Sequence, residues 1–357
     1  MELSQWRDAC VAAHRSLDAP TPLGVSMVAA PETPPMNQPP IIAIDLGGTR
    51  IKAALVDGTD ILAAESIAAH SRDGLAPQLP RIAAMVENLC ASRQLKPSDC
   101  RGLGMAVPFL VDPLRQRILS VPREKFGDAG GIDLSDWARQ RFGLVLMLEN
   151  DAHAALLGEW RHGAGQGSDD FIMLTLGTGI GCSVLLRGRP LRGKHFQAGV
   201  LGGHLIASPL DGVPCAACPS SGCYEAESAT RSLAREAEKH PGFARSALAG
   251  EATLDFAAVF GHAAGGDAVA VAVRDRCLRY WTALIVSLVH AFDPDRIVIG
   301  GGVADNPAAR AMFPAMQDDV NRQAWIVEPV EIRAAQLGNR AGIIGVTTLF
   351  TRETPYI

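Results

Sequence analysis

Three glycine-containing turns, each following an apolar run, offer backbone amides to an anion: Asp45-Leu46-Gly47-Gly48-Thr49, Leu176-Gly177-Thr178-Gly179-Ile180-Gly181 and Gly300-Gly301-Gly302. Glycine lets a main chain approach a phosphate with no Cβ in the way, and its amide then donates to the anionic oxygens. Asp45 adds a carboxylate able to hold Mg²⁺ directly or through water, and Lys52 is counted with the same nucleotide-binding set. One such turn means little, because Gly-rich hairpins are common. Three in this order read as a cradle for the phosphates of a nucleotide. A G-x-x-x-x-G-K-[ST] run is absent, as is a G-x-G-x-x-G opening a helix, which excludes P-loop and Rossmann sites.

Glu149-Asn150-Asp151 stands where a buried strand turns into a helix. Two roles are open: Asn150 or Asp151 caps the helix, or Asp151 accepts the proton of an attacking hydroxyl while Asn150 orients the acceptor. A helix N-terminus favours the ionised carboxylate that a base requires. Phosphoryl transfer rests mostly on positioning and charge stabilisation, so one aspartate, one metal ion and donor-lined turns suffice for it. His204, Cys215, Cys218 and Cys223 spell H-x₁₀-C-x₂-C-x₄-C in a segment rich in proline and glycine, which matches a closed Cys₃His zinc site. Such a site would pin a loop too poor in apolar residues to order itself, and would fix Tyr224-Glu225 near the cleft.

The elements that must carry these residues follow from pattern. Residues 1–40 include Pro20, Pro22, Pro31, Pro34, Pro35, Pro39 and Pro40 and read as a flexible leader. Ile41 to Asp45 and Ile51 to Val56 predict a strand, turn and returning strand. Strands are expected at 102–107, 144–149, 171–175, 180–186 and 296–299, and helices at 77–94, 151–160, 274–291 and 341–351. Aligning Gly47 with Gly177 puts Thr175 where Asp45 stands, and two such units about 130 residues apart suggest a duplicated domain whose turns face a shared cleft.

The chain has 357 residues, 48% of them hydrophobic and 20% charged, with a net charge of −5. This is enough for two domains, gives no electrostatic reason to expect nucleic acid or an anionic membrane, and contains no transmembrane-length apolar run. A cytoplasmic enzyme is expected. Cys10, Cys90, Cys100, Cys182 and Cys277 are scattered singly, unlike a disulfide framework.

In this order the motifs resemble the ROK family (repressor, open reading frame, kinase) over residues 41–352. The likeness is carried by the three turns, Glu149-Asn150-Asp151-Ala152, His204 with its cysteines, and Gly222-Cys223-Tyr224-Glu225. It implies an α/β, actin-like ATPase (ribonuclease H-like) duplicated two-domain fold with a central cleft. The lobes would be 41–150 and 151–340, with the zinc loop at 204–225 and the last helix, 341–353, packing back on the first lobe. It further implies MgATP-dependent phosphorylation of a sugar or polyol hydroxyl, Asp151 as general base, sugar contacts from Asn150, His204 and Glu225, structural Zn²⁺, and a homodimer.

Departures fall on the acceptor side. The family's A-G-E-x-G-H reads Ala198-Gly199-Val200-Leu201-Gly202-Gly203-His204, which by counting back from His204 puts Leu201 in place of a sugar-binding glutamate. Its proline-glycine becomes Pro108-Phe109, and A-P-N-L becomes Val121-Pro122-Arg123-Glu124. An acceptor other than glucose or an N-acetylhexosamine is therefore expected, with Arg123 and Lys125 available to an acidic group on it or lying in a solvated loop. His153, where the family tends to have asparagine, is open to a substrate contact or to packing on the helix face, and the packed role is the one expected. Within the family the alternative is a non-catalytic or catalytically weakened sugar-binding sensor or regulator; the resemblance implies that its repressors carry an N-terminal DNA-binding module, which residues 1–40 are not expected to accommodate.

Overall fold

A computed structural model describes residues 38–122 and 125–351. Residues 1–37 of the leader, and Arg123, fall outside them. Ile41, Ile42, Ala43 and Ile44 are buried on both faces of β1 (Ile41–Leu46), which is why the run is continuously apolar rather than alternating. β2 (Arg50–Asp57) returns antiparallel to it, and β3 (Asp60–Ala68) pairs antiparallel with β2 at the sheet edge. β3 is half-exposed and carries no strong apolar pattern, so the sequence does not announce it.

β4 (Gly102–Val107) and β7 (Leu146–Asn150) extend the sheet in parallel on the other side of β1, giving the order β3-β2-β1-β4-β7. A small hairpin, β5 (Leu110–Asp112) and β6 (Arg117–Ser120), lies between them in sequence. The second sheet repeats the plan as β10-β9-β8-β11-β12, with β8 (Phe171–Leu176) antiparallel to β9 (Ile180–Leu186) and parallel to β11 (Arg296–Gly300). β10 (Arg189–Pro190) and β12 (Glu331–Ala334) form its edges. The duplication expected from Gly47 and Gly177 thus appears as two sheets of the same strand order.

Helix α1 (Leu79–Ala91) buries Ile82, Met85, Val86 and Leu89 against the first sheet, and α2 (Leu134–Phe142) begins at Asp133, whose side chain accepts the Asp136 amide. The helix expected at 274–291 runs as Ala268–Phe292, because Asp267 caps it further back by accepting the Val269 and Ala270 amides. Its predicted apolar side, Cys277, Trp281, Leu284, Ile285 and Leu288, is buried.

Two helices link the sheets. α3 (Asp151–His162) leaves β7, and the last helix, Ala341–Thr348, packs with it against Ala43, Ala54, Val56 and Ala106 of the first sheet. They cross at near-backbone contact: a Cβ on Gly345 would lie 1.7 Å from the Ala154 carbonyl oxygen, and one on Gly158 would lie 2.5 Å from that of Ala341. Only glycine permits such an approach. Among the described residues no helix is long and apolar enough to cross a membrane.

Candidate active site

The C-terminal ends of β1 and β8, the start of α3 and the turn after β11 converge on a cleft of about 500 Å³. Its lining includes Asp45, Lys52, Asn150, Asp151, Gly177, Thr178, Gly179, His204, Glu225, Gly300, Gly301 and Gly302. These residues span more than 250 positions of sequence, and most of the sites expected from it meet here. Gly47, Gly48 and Thr49 do not line the cavity. They follow β1 at its mouth, where Ser71 Oγ donates to the Gly48 carbonyl at 2.7 Å and the Ala69 amide to that of Thr49 at 2.9 Å.

Asp45 and Lys52 are register partners on β1 and β2, so their side chains emerge on one face; Nζ stands 3.4 Å from Oδ2. Lys52 Nζ also donates to the Asn339 carbonyl at 3.5 Å. Burial raises the Asp45 pKa above the ordinary range, against the pull of Lys52. In the second sheet the Gly301 turn needs φ of +79°, and a Cβ there would meet the Leu176 oxygen at 2.6 Å, so the third turn docks onto the second.

Asn150 is the cap of α3. Its Oδ1 accepts the Ala152 and His153 amides at 3.0 and 3.3 Å, and its Nδ2 donates to the Phe109 carbonyl at 3.0 Å. The capping role is therefore realised by Asn150, which fixes the first turn of the helix and leaves Asp151 facing the cleft. Burial first, and then the nearby Asp45 carboxylate, push Asp151 up to about 6, against its hydrogen bond from the Ala152 amide and the charge of Lys125. The expected hold of the helix N-terminus is outweighed. At neutral pH the group remains mostly ionised, within the useful range for a base.

Behind this pair lies a network that no sequence motif marks. Glu149 is fully buried, receives Arg192 Nη1 at 3.1 Å and Nη2 at 2.6 Å, and also accepts the Asn150 amide at 2.9 Å. His153 Nδ1 is 3.5 Å from the same carboxylate, while Nε2 is 3.3 Å from the Leu191 carbonyl oxygen. His153 is the packed residue expected, with these two polar contacts. Burial alone would push Glu149 up; the Arg192 guanidinium, and then His153, hold it at about 2. The charged pair ties the segment leading to His204 onto the strand that carries Asn150. Arg192 lies in a loop without a motif, and only tertiary contact reveals its partner.

The four metal-ligand candidates do come together. One ligand atom each from His204, Cys215, Cys218 and Cys223 lies within 4.8 Å of the others, and His204 Nδ1 is 3.9 and 3.8 Å from the Cys215 and Cys223 sulfurs. Ligands on a tetrahedral ion with bonds of about 2.0–2.3 Å stand at comparable separations. Burial, reinforced by the neighbouring thiols, pushes Cys223 up to about 12, a cost that a bound cation would remove. Glu225 lies in the first turn of the short helix Tyr224–Ser228 that follows the last cysteine, and its Oε2 accepts the Ile180 amide at 2.9 Å. The cysteine loop is thereby coupled to the second glycine turn.

Two of the residues expected to alter the acceptor wall do not touch the cleft. Phe109 is 1% exposed in the first core, edge-on to Phe126 at 6.0 Å, and Leu201 is 40% exposed outside the cavity. Val200 lines it instead. The segment has one residue more than A-G-E-x-G-H, so counting back from His204 gives Leu201 at the glutamate position and counting forward from Ala198-Gly199 gives Val200, the one of the two that lines the cleft. Gly338, Asn339 and Gly342 also line the cleft; their signal was a fourth glycine turn opening the last helix.

A protein named glucokinase from Halalkalibacterium halodurans is 31% identical over 312 residues, covering 85% of this chain and 92% of that protein. A beta-glucoside kinase from Listeria monocytogenes is 28% identical, covering 88% and 98%. The crystal structure of a ROK family glucokinase from Streptomyces griseus, in complex with glucose and AMPPNP, superposes with a TM-score of 0.71 at 31% identity, covering 87% of this chain and 98% of that one. The family model for ROK matches residues 41–353, and the chain is therefore a member of the ROK family with its actin-like ATPase fold.

Proposed function

We propose that the protein is an ATP-dependent sugar kinase that transfers the γ-phosphoryl group of MgATP to a hydroxyl of a hexose or related polyol. The observation that carries this reading is one cleft holding Asp151, with a pKa of about 6, opposite glycine turns rich in backbone donors and next to Asp45. The kinase names borne by relatives at about 30% identity support it.

In this reading Asp45 holds Mg²⁺, which neutralises phosphate charge when bound, and Lys52 keeps the Asp45 carboxylate oriented. Gly177, Thr178, Gly179 and Gly300 to Gly302 receive the nucleotide, with Gly47, Gly48 and Thr49 at the mouth. Asp151 accepts the acceptor hydroxyl proton as its oxygen attacks the γ-phosphorus, the bond to the bridging oxygen breaks, and ADP leaves. Asn150 keeps one amide hydrogen for the acceptor beyond its bond to Phe109. Glu225, and the His204 ring nitrogen turned away from the thiols, contact other hydroxyls. His204, Cys215, Cys218 and Cys223 hold a structural Zn²⁺ that orders residues 204–225. The two lobes, 41–150 and 151–340, and a cytoplasmic homodimer belong to the same proposal.

The acceptor has a different group where a glutamate would hydrogen-bond, because Val200 offers no acceptor there. A coupled ADP-release screen with MgATP over aldohexoses, ketoses, amino sugars and polyols tests both levels. Turnover confined to a sugar other than glucose is expected. Glucose as clearly the best substrate would refute the acceptor reading, and silence across the panel the kinase reading.

A further inference from the structure

Lys125 lines the cleft, and its side chain lies across the first glycine turn: a Cβ built on Gly48 would come within 2.8 Å of its Cε, 3.0 Å of its Cδ and 3.1 Å of its Nζ. The position is anchored. The next residue, Phe126, is fully buried in the first core, and its amide donates to the Ser71 carbonyl at 2.7 Å. The Ser71 hydroxyl in turn donates to the Gly48 carbonyl. One serine therefore ties the segment bearing Lys125 to the turn that Lys125 covers.

The other cleft lysine is already engaged, since Lys52 pairs with Asp45 and reaches Asn339. Among the described residues no hydrogen bond or ion pair holds Lys125 Nζ. Its charge nevertheless reaches Asp151, which it draws toward the ionised form. An ammonium that no described residue engages thus lies beside the glycine turn and within electrostatic reach of the candidate base, between the groups that would hold the nucleotide and the acceptor.

We propose that Lys125 is a catalytic residue whose ammonium group stabilises the charge on the equatorial oxygens of the γ-phosphoryl group as it passes to the acceptor. The inference rests on the kinase reading. In the step the acceptor oxygen to phosphorus bond forms, the phosphorus to bridging oxygen bond breaks, the proton goes to Asp151, and Lys125 stays protonated throughout. The chain lacks a P-loop lysine, and Lys125 supplies the equivalent charge from a different element. Gly48 is required because a side chain there would displace the Lys125 stem.

The test compares wild type with Lys125→Met and Lys125→Arg in steady-state ADP release, using MgATP with the best neutral acceptor of the sugar panel and, separately, D-glucuronate. Lys125→Met should lower kcat about 100-fold or more with the neutral acceptor, leave its KM within a few-fold, and keep the wild-type melting temperature. Lys125→Arg should recover most of the loss. A Lys125→Met variant with the wild-type kcat on the neutral acceptor would overturn the proposal while leaving the kinase reading intact. A substitution that raises only the KM for D-glucuronate would overturn it too, because the lysine would then read an anionic acceptor. Absence of turnover by the wild type on every acceptor would overturn both.

Discussion

Replacing Glu149 with glutamine keeps the shape of the side chain and removes its charge. The carboxylate is fully buried, faces both terminal nitrogens of Arg192, and is held at about 2 against an ordinary 4.5. A depression of about two and a half units at about 1.36 kcal/mol each corresponds to about 3 kcal/mol of stability. Leaving one member of a buried pair uncompensated costs about 3–5 kcal/mol, so two independent routes agree. Because the folded pKa is depressed, the contribution is complete above about pH 4.5 and is lost as the pH falls toward 2. Urea unfolding followed by tryptophan fluorescence at pH 7, 5.5 and 4 measures it. Glu149→Gln should be about 3 kcal/mol less stable at the two higher values, with the gap narrowing at the lowest. The KM for sugar should rise as well, because Arg192 no longer ties the segment leading to Val200 and His204 to β7. A variant within about 0.5 kcal/mol of wild type at pH 7, the scatter of ordinary surface changes, would refute the reasoning.

Three further outcomes are expected. With Asp151 at about 6, kcat/KM should fall tenfold per unit as pH drops below that value, since protonation removes the base; a profile flat to pH 5 would contradict the assignment. Metal analysis of the purified chain should find one zinc per chain, and Cys218→Ser should lose it, lower the melting temperature and raise the KM for sugar; a metal-free wild type with unchanged stability would argue against the site. Gly345→Ala should destabilise by about 2–3 kcal/mol, read by urea unfolding, because its Cβ would meet the Ala154 oxygen at 1.7 Å; a neutral substitution would mean that the helices separate freely.

Much of the site was legible because its chemistry is local. The turns at Gly47, Gly177 and Gly300 announce themselves by following apolar strands, and the cysteines by spacing. Asn150 and Asp151 stand at a strand-to-helix junction that periodicity locates to within a residue or two. What stayed hidden depends on contacts distant in sequence. The partnership of Arg192 with Glu149 spans 43 residues, and nothing in the Glu149-Asn150-Asp151 motif or in the loop of Arg192 points from one to the other. The edge strands β3 and β12 are half-exposed or short, so neither alternation nor a long apolar run marks them. The misplacement of Leu201 has a simple cause: a one-residue insertion makes counting from His204 and counting from Ala198 disagree, and only the geometry shows that Val200 faces the cleft.

The most direct test of the central claim is the steady-state kcat of Asp151→Asn with saturating MgATP and the best acceptor of the panel. A fall of about 10²–10⁴-fold is expected, with the KM for MgATP and the melting temperature near those of wild type. Wild-type ADP release by the variant would contradict the assignment of Asp151 as the base of a phosphoryl transfer.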